Sequence, residues 1–211
     1  REGRGFLLDF SPEINYHKHY INRYAFLFNE YIGNKYVYLP ELSLRYTGQK
    51  TFQFDNSHKT IALYLGGENK EFRKYPDEYA VQLLRLLNRQ GYNLLLIGDE
   101  NDNIKHTQYA EEARIDHLIN LTARTTIEGF INTIANVDLI ITIDSSALHI
   151  AAAVKTPFIA LMGLSTSPTS TILPKVPLGR ILKIENNLIR EEDYIRNITP
   201  DLILKTISEL I

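Results

Sequence analysis

Asp144, Ser145, Ser146 and His149 fall in the string "IITIDSSALHIAAA" (140–153), where an apolar run passes through a short polar knot into helix-forming residues. Two hydroxyls just ahead of a helix occupy cap positions, backed by free backbone N–H groups and the positive end of the helix dipole. Phosphate or diphosphate is the ligand that such a place favours. A plain cap, with Asp144 or Ser145 closing a helix that begins near Ala147 and His149 packed on its first turn, accounts for the same residues.

Three other strings carry groups that could meet the same ligand. "GGENKEFRKYP" (66–76) has two glycines, which permit a tight turn or close approach of the backbone to a ligand, and then the basic pair Arg73 and Lys74. "GDEND" (98–102) holds carboxylates, Glu100 among them, that could bond ribose hydroxyls as an acid does in dinucleotide folds. "GLSTSPTS" (163–170) offers hydroxyls, Ser165 and Thr166 included. Taken singly, these also read as a solvated basic face, acids at a helix start, and a loop.

All four strings follow apolar runs of strand length. Candidate strands are 61–65, 92–97, 117–121, 138–143, 158–162 and 180–184; candidate helices are 76–90, 103–113, 125–136 and 199–210. Pro76 with the acids Asp77 and Glu78 marks one helix start, and Gly91 marks its stop. Thr125 and Glu128 have capping-box spacing. Strand candidates that are almost continuously apolar belong to a sheet covered on both faces. Strands alternating with helices through short connections predict an α/β fold, a Rossmann-like, doubly wound parallel sheet. On such a sheet, ligands bind beyond the carboxyl ends of the strands, the edge on which all four strings fall.

Residues 1–57 read differently: aromatic-rich, with one helix candidate over 17–33 and polar, irregular text from Pro40 to Lys59. They read as the remnant of an N-terminal domain plus a linker, with 58–211 as the ligand-binding domain. The opening "REGRGFLLDF", without an initiator Met, reads as part of a longer polypeptide.

Composition removes several classes. Lys plus Arg number 23 against 25 Asp plus Glu, so no strong field gathers nucleic acid, and any phosphate must be held locally. The absence of cysteine removes disulfides and thiolate chemistry and fits a reducing compartment. His17 and His19 lack metal-ligand spacing, since i and i+2 point apart on a helix. No apolar run approaches the length of a membrane helix.

Two stretches together, 61–103 and 118–168, resemble the C-terminal half of glycosyltransferase family 9, the ADP-heptose:lipopolysaccharide heptosyltransferases. The resemblance spans about residues 58–211 and is carried most specifically by the string from Asp144 through His149 and the alanine run to Gly163. It implies a GT-B enzyme, cytoplasmic or peripheral at the inner membrane. Such an enzyme transfers a sugar, with inversion and without a required metal, from a nucleotide diphosphate, ADP-heptose first, to a glycan or glycolipid acceptor. By position, Arg73 matches a donor-phosphate Lys, with Lys74 beside it; Glu100 matches the acid that binds the donor's ribose. Asp144, Ser145 and Ser146 match the family's Asp-Ser/Thr-Gly, and His149 its histidine.

The departures from the family pattern are Ser146 for Gly, Arg73 for Lys, Tyr75 for Trp, and a loop one residue longer around Ser165 and Thr166. The family's general base lies in its N-terminal domain, so the resemblance implies that this chain is the donor-binding half and inactive alone. A nucleotide-binding module without transfer, or a transferase using another nucleotide sugar, fits the same loops.

Overall fold

The computed structural model describes residues 20–33, 42–66, 74–163, 173–174, 176–183 and 190–211. The chain divides into two compact units, Arg1–Glu41 with Thr166–Leu173 and Leu42–Ser165 with Pro174–Ile211. The described part of the first is a helix, α1 (Tyr20–Ile32), within the 17–33 expected from sequence.

The second unit is built on six parallel strands: β1 (Thr60–Tyr64), β2 (Asn93–Leu96), β3 (Leu118–Asn120), β4 (Leu139–Ile143), β5 (Phe158–Met162) and β6 (Gly179–Lys183). Their order is β3-β2-β1-β4-β5-β6. Residues of β1, β2, β4 and β5 are all buried, as their continuous apolar sequences require. The outer strands β3 and β6 are only partly covered.

This order has one reversal. From β1 the chain works outward to β2 and β3, then returns to add β4 on the other side of β1, pairing Tyr64 with Thr142 at the carboxyl end. The connections after β1 and β4 therefore leave the sheet in opposite directions and open a crevice between them.

The helices are α2 (Asp77–Arg89), α3 (Asn103–Ala113), α4 (Ile127–Ala135), α5 (Ser146–Val154) and α6 (Pro200–Ile207). In α2, Ala80, Val81, Leu83, Leu84 and Leu87 are buried at helical spacing, and the helix stops at Gly91, whose φ of +81° suits a residue without Cβ. The cap of α4 corrects the sequence expectation. Thr126, not Thr125, is the N-cap, and its hydroxyl accepts from the Gly129 N–H. Counting from Thr126, the third helical residue is Gly129, which has no side chain to reciprocate, so no capping box forms and Glu128 contributes only its charge near the dipole's positive end.

Residues 47–58 form no helix or strand but are fastened to the sheet unit. The Thr47 and Gly48 N–H groups both donate to Asn132 Oδ1 at 3.1 and 3.2 Å, and Asn132 Nδ2 donates back to Thr47 Oγ1 at 2.9 Å. This exchange satisfies an amide side chain that is 3% exposed. Asn56 and Asn93 make a second reciprocal pair at the amino end of β2.

At the other end of the unit, α6 packs on α2. Tyr75, 1% exposed, donates from its hydroxyl to the Ile198 carbonyl at 2.9 Å. A large aromatic directly after the basic pair thus anchors the β1–α2 connection to the segment preceding α6.

Candidate functional site

The knot after β4 resolves into a capped helix. Ser145 is the N-cap of α5, extended at φ −147° and ψ 174°, and its hydroxyl accepts from the Ala147 N–H at 3.2 Å. Thr142 Oγ1, donating to the Ile143 carbonyl, also lies 3.0 Å from Ser145 Oγ, so the last turn of the strand holds the cap. Ser146 is the first helical residue and exposed; Asp144 and Ser145 are half-buried; His149 is exposed on the first turn. Helical geometry at Ser146 means that serine in place of glycine strains nothing there. The positive-φ residues other than glycine among those described are Arg114, Ala123 and Lys155.

Lys74 is half-buried at the end of the connection from β1, three residues ahead of the start of α2. Glu100 is exposed at the start of a 3₁₀ turn (Glu100–Asp102) after β2. Arg73 and Thr166 lie outside the described residues. The described candidates therefore stand at the carboxyl ends of three adjacent strands, β2, β1 and β4. With strands about 4.8 Å apart, the Glu100 loop and the α5 terminus are separated by about 10 Å of rim. Glu100 lies on the far side of β1 from the crevice, so a ligand touching all of them must lie across the end of β1.

The glycine after β1 serves a neighbour. A Cβ on Gly66 would lie 1.7 Å from Asp102 Oδ1, and one on Gly98 would lie 2.8 Å from Asp102 Oδ2. The Asp102 carboxylate, 4% exposed, therefore fills the space left by two absent side chains and presses the β2 loop against the β1 loop. Its position is fixed by a reciprocal cap: Asp99 Oδ1 accepts from Asn101 N at 2.8 Å, and the Asp99 N–H donates to Asp102 Oδ2 at 3.4 Å.

A second junction lies beside it. Asp77, the first residue of α2, accepts from Tyr109 Oη on one carboxylate oxygen and from Lys105 Nζ on the other. Burial raises the Asp77 carboxyl pKa, but the hydrogen bonds from Lys105 and Tyr109 and the charges of Lys105 and Lys74 outweigh that and hold it below the usual range. Gly66, Lys74, Asp77, Asp102, Lys105 and Tyr109 line a small cleft of about 60 Å³ between the two loops.

Below this cleft, His106 is fully buried, with Nδ1 2.7 Å from Thr122 Oγ1 and Nε2 without a partner among the described residues. Desolvation pushes its pKa down to about 4, against a smaller opposing pull from Asp99. Among the described residues, no three His, Asp or Glu side chains gather as metal ligands.

Sequence reasoning found the loops and missed what joins them. Asp77 reads as an ordinary first-turn acid and Asp102 as the tail of "GDEND", while Lys105 and Tyr109 carry no signal of their own within the helix candidate 103–113. The available signal was the pairing of Gly66 and Gly98 at equivalent places after adjacent strands, which calls for something to fill the space between them.

The sequence matches the model of glycosyltransferase family 9 (heptosyltransferase) over residues 3–192, and the chain belongs to that family. It is 31% identical over 158 residues to lipooligosaccharide heptosyltransferase 2 of Haemophilus influenzae, covering 69% of this chain and 45% of that protein. The corresponding enzyme of Haemophilus ducreyi is 27% identical over 164 residues, with 69% and 46% covered. The chain thus spans about half the length of the curated relatives it matches. Among solved structures, E. coli ADP-heptose lps heptosyltransferase II superposes with a TM-score of 0.81 at 21% identity, over 98% of this chain and 68% of that one, which shows a shared fold.

Proposed function

We propose that this chain is the donor-binding half of a heptosyltransferase, holding a nucleotide diphosphate sugar, ADP-heptose first, for inverting transfer to a lipopolysaccharide-type acceptor. One observation carries the reading: the Ser145-capped terminus of α5 emerges at the single reversal of strand order, between β1 and β4. A helix of nine residues there, with the exposed Ser146 at its first position, presents its positive dipole end to an anion in the crevice, while the Ala147 and Leu148 N–H groups are held by Ser145.

The chemistry follows from where charge develops. As the glycosidic bond breaks, the diphosphate gains negative charge, and donors fixed in advance stabilise that state more than the ground state. In this reading the α5 terminus and Ser146 meet the diphosphate together with Lys74 and Arg73. Glu100 accepts from the ribose hydroxyls. Asp144 and His149 flank the cap and set its shape and charge. A mobile metal is dispensable here, because fixed donors and a cation do its electrostatic work. The general base that deprotonates the acceptor is assigned to the share of the relatives that this chain does not match, so the 211-residue chain alone is expected to give no transfer. Turnover by it would refute that part.

Similarity to a lipooligosaccharide heptosyltransferase and to the E. coli ADP-heptose lps heptosyltransferase supports the choice of donor and acceptor class. Competition titration tests it. ADP-heptose should bind saturably and displace more effectively than UDP or GDP sugars. Equal binding of all three would move the reading to another transferase.

A further inference from the structure

We infer that Asp77 is a positioning residue that couples the two halves of the donor site, by locking the basic connection after β1 to the acidic loop after β2. The inference rests on the proposed donor site for its ligand, and on geometry for its mechanism. Asp77 opens α2 and so ends the connection that carries Arg73 and Lys74. Both of its partners, Lys105 and Tyr109, sit one turn apart on α3, the helix that the Glu100 loop leads into.

The α2 terminus needs this tie. Its N-cap is Pro76, which makes no side-chain cap, so no local side-chain bond fixes how the connection enters the helix. The Tyr75 hydroxyl fixes the connection from the α6 side, and its amide ties it back to the end of β1 through the Leu65 carbonyl. Asp77 fixes it from the α3 side, with a charge-assisted bond from Lys105 that a neutral residue would not draw. Lys74 belongs to the same electrostatic cluster, since its charge acts on the Asp77 carboxylate. A shift of α3 relative to α2 would therefore move the cation of one loop and the carboxylate of the other together.

Asp77 itself need not touch the ligand. Its contribution is that the phosphate-side and ribose-side groups are presented at a fixed spacing, so ligand binding need not order one loop against the other.

The test is a double-mutant cycle read by ADP titration of the full chain. Because the Asp77–Lys105 pair is half exposed, Asp77→Asn and Lys105→Met should each raise the ADP dissociation constant about three- to fivefold, and the double variant should be no worse than either single one. Adenosine, which lacks the phosphates, should lose less than about twofold, because only one loop holds it. Additive losses, or unchanged ADP affinity in both single variants, would overturn the coupling. Tyr109→Phe, which keeps the ring, serves if either charge variant fails to fold, and a smaller loss in the same direction is expected.

If the wild-type chain does not bind ADP, the donor-site reading falls and the coupling is read by hydrogen exchange instead. Asp77→Asn should then speed exchange of the Tyr75 amide, bonded to the Leu65 carbonyl, and of the Asp102 amide, bonded to the Asp99 carbonyl. Faster exchange at Tyr75 alone would mean a local helix-start effect and would reject the coupling.

Discussion

The hydroxyls of Thr142 and Ser145 lie 3.0 Å apart, tying the last turn of β4 to the cap of α5. Ser145 thus does two things with one oxygen: it accepts from the Ala147 N–H and is held in place by the strand. Its structural role as a cap is therefore separable from the electrostatics of the anion site proposed beside it.

Two substitutions tell those roles apart. Ser145→Ala should lower stability by about 1 kcal/mol through the lost cap. Ser145→Asp keeps a capping acceptor and should fold as well as wild type, yet it puts a negative charge where a diphosphate is proposed to sit and should abolish nucleotide binding. Thermal melting and ADP titration of both variants check this pair. An aspartate variant that binds ADP normally would place the ligand elsewhere.

Tyr75 tests the anchor between the β1 connection and the approach to α6. Tyr75→Phe keeps the packed ring and leaves the Ile198 carbonyl without its donor, at a cost of about 1–3 kcal/mol by urea unfolding. A smaller loss of ADP affinity should follow, because the basic connection loses one fixed end.

His106 predicts the acid side of the stability curve. Its folded pKa of about 4 is depressed from 6.5, so the folded state favours the neutral ring and the unfolded chain binds the proton first. The contribution is fully present above about pH 6.5 and is lost as pH falls toward 4. At 1.36 kcal/mol per pKa unit the loss is on the order of 3 kcal/mol. His106→Gln should flatten the melting curve across that window. An unchanged pH dependence would contradict the assignment.

Metal removal gives a fourth test. Nucleotide affinity should be the same with and without a strong chelator, since the proposed site meets the diphosphate with the positive end of the α5 dipole and cationic side chains. A loss on chelation, restored by a divalent ion, would require a metal in the account.

The strands were legible because buried parallel strands leave little room for polar residues. "FIALM" is β5 residue for residue, and β1 and β4 begin within one residue of expectation. The Asp-Ser-Ser knot was legible because cap chemistry is local, although the helix starts at Ser146 rather than Ala147. The α4 cap was misplaced by one residue because Thr125 and Thr126 are adjacent and both can cap; only the backbone chooses. Asp102, Asp77, Lys105 and Tyr109 were not legible as a group. Their meeting depends on α2 and α3 lying side by side over adjacent strands, which no local pattern encodes. The role of residues 47–58 was hidden for the same reason, since it depends on Asn132, about 85 positions away.

The most direct measurement is calorimetric titration of the chain with ADP and with UDP, repeated on Arg73→Ala and Glu100→Ala. The account predicts saturable ADP binding in preference to UDP. Arg73→Ala should weaken it about tenfold through the phosphates, and Glu100→Ala should weaken it through the ribose, with adenosine affinity falling only in the second variant. ADP binding that neither substitution alters would contradict a donor site spanning the carboxyl ends of β2, β1 and β4.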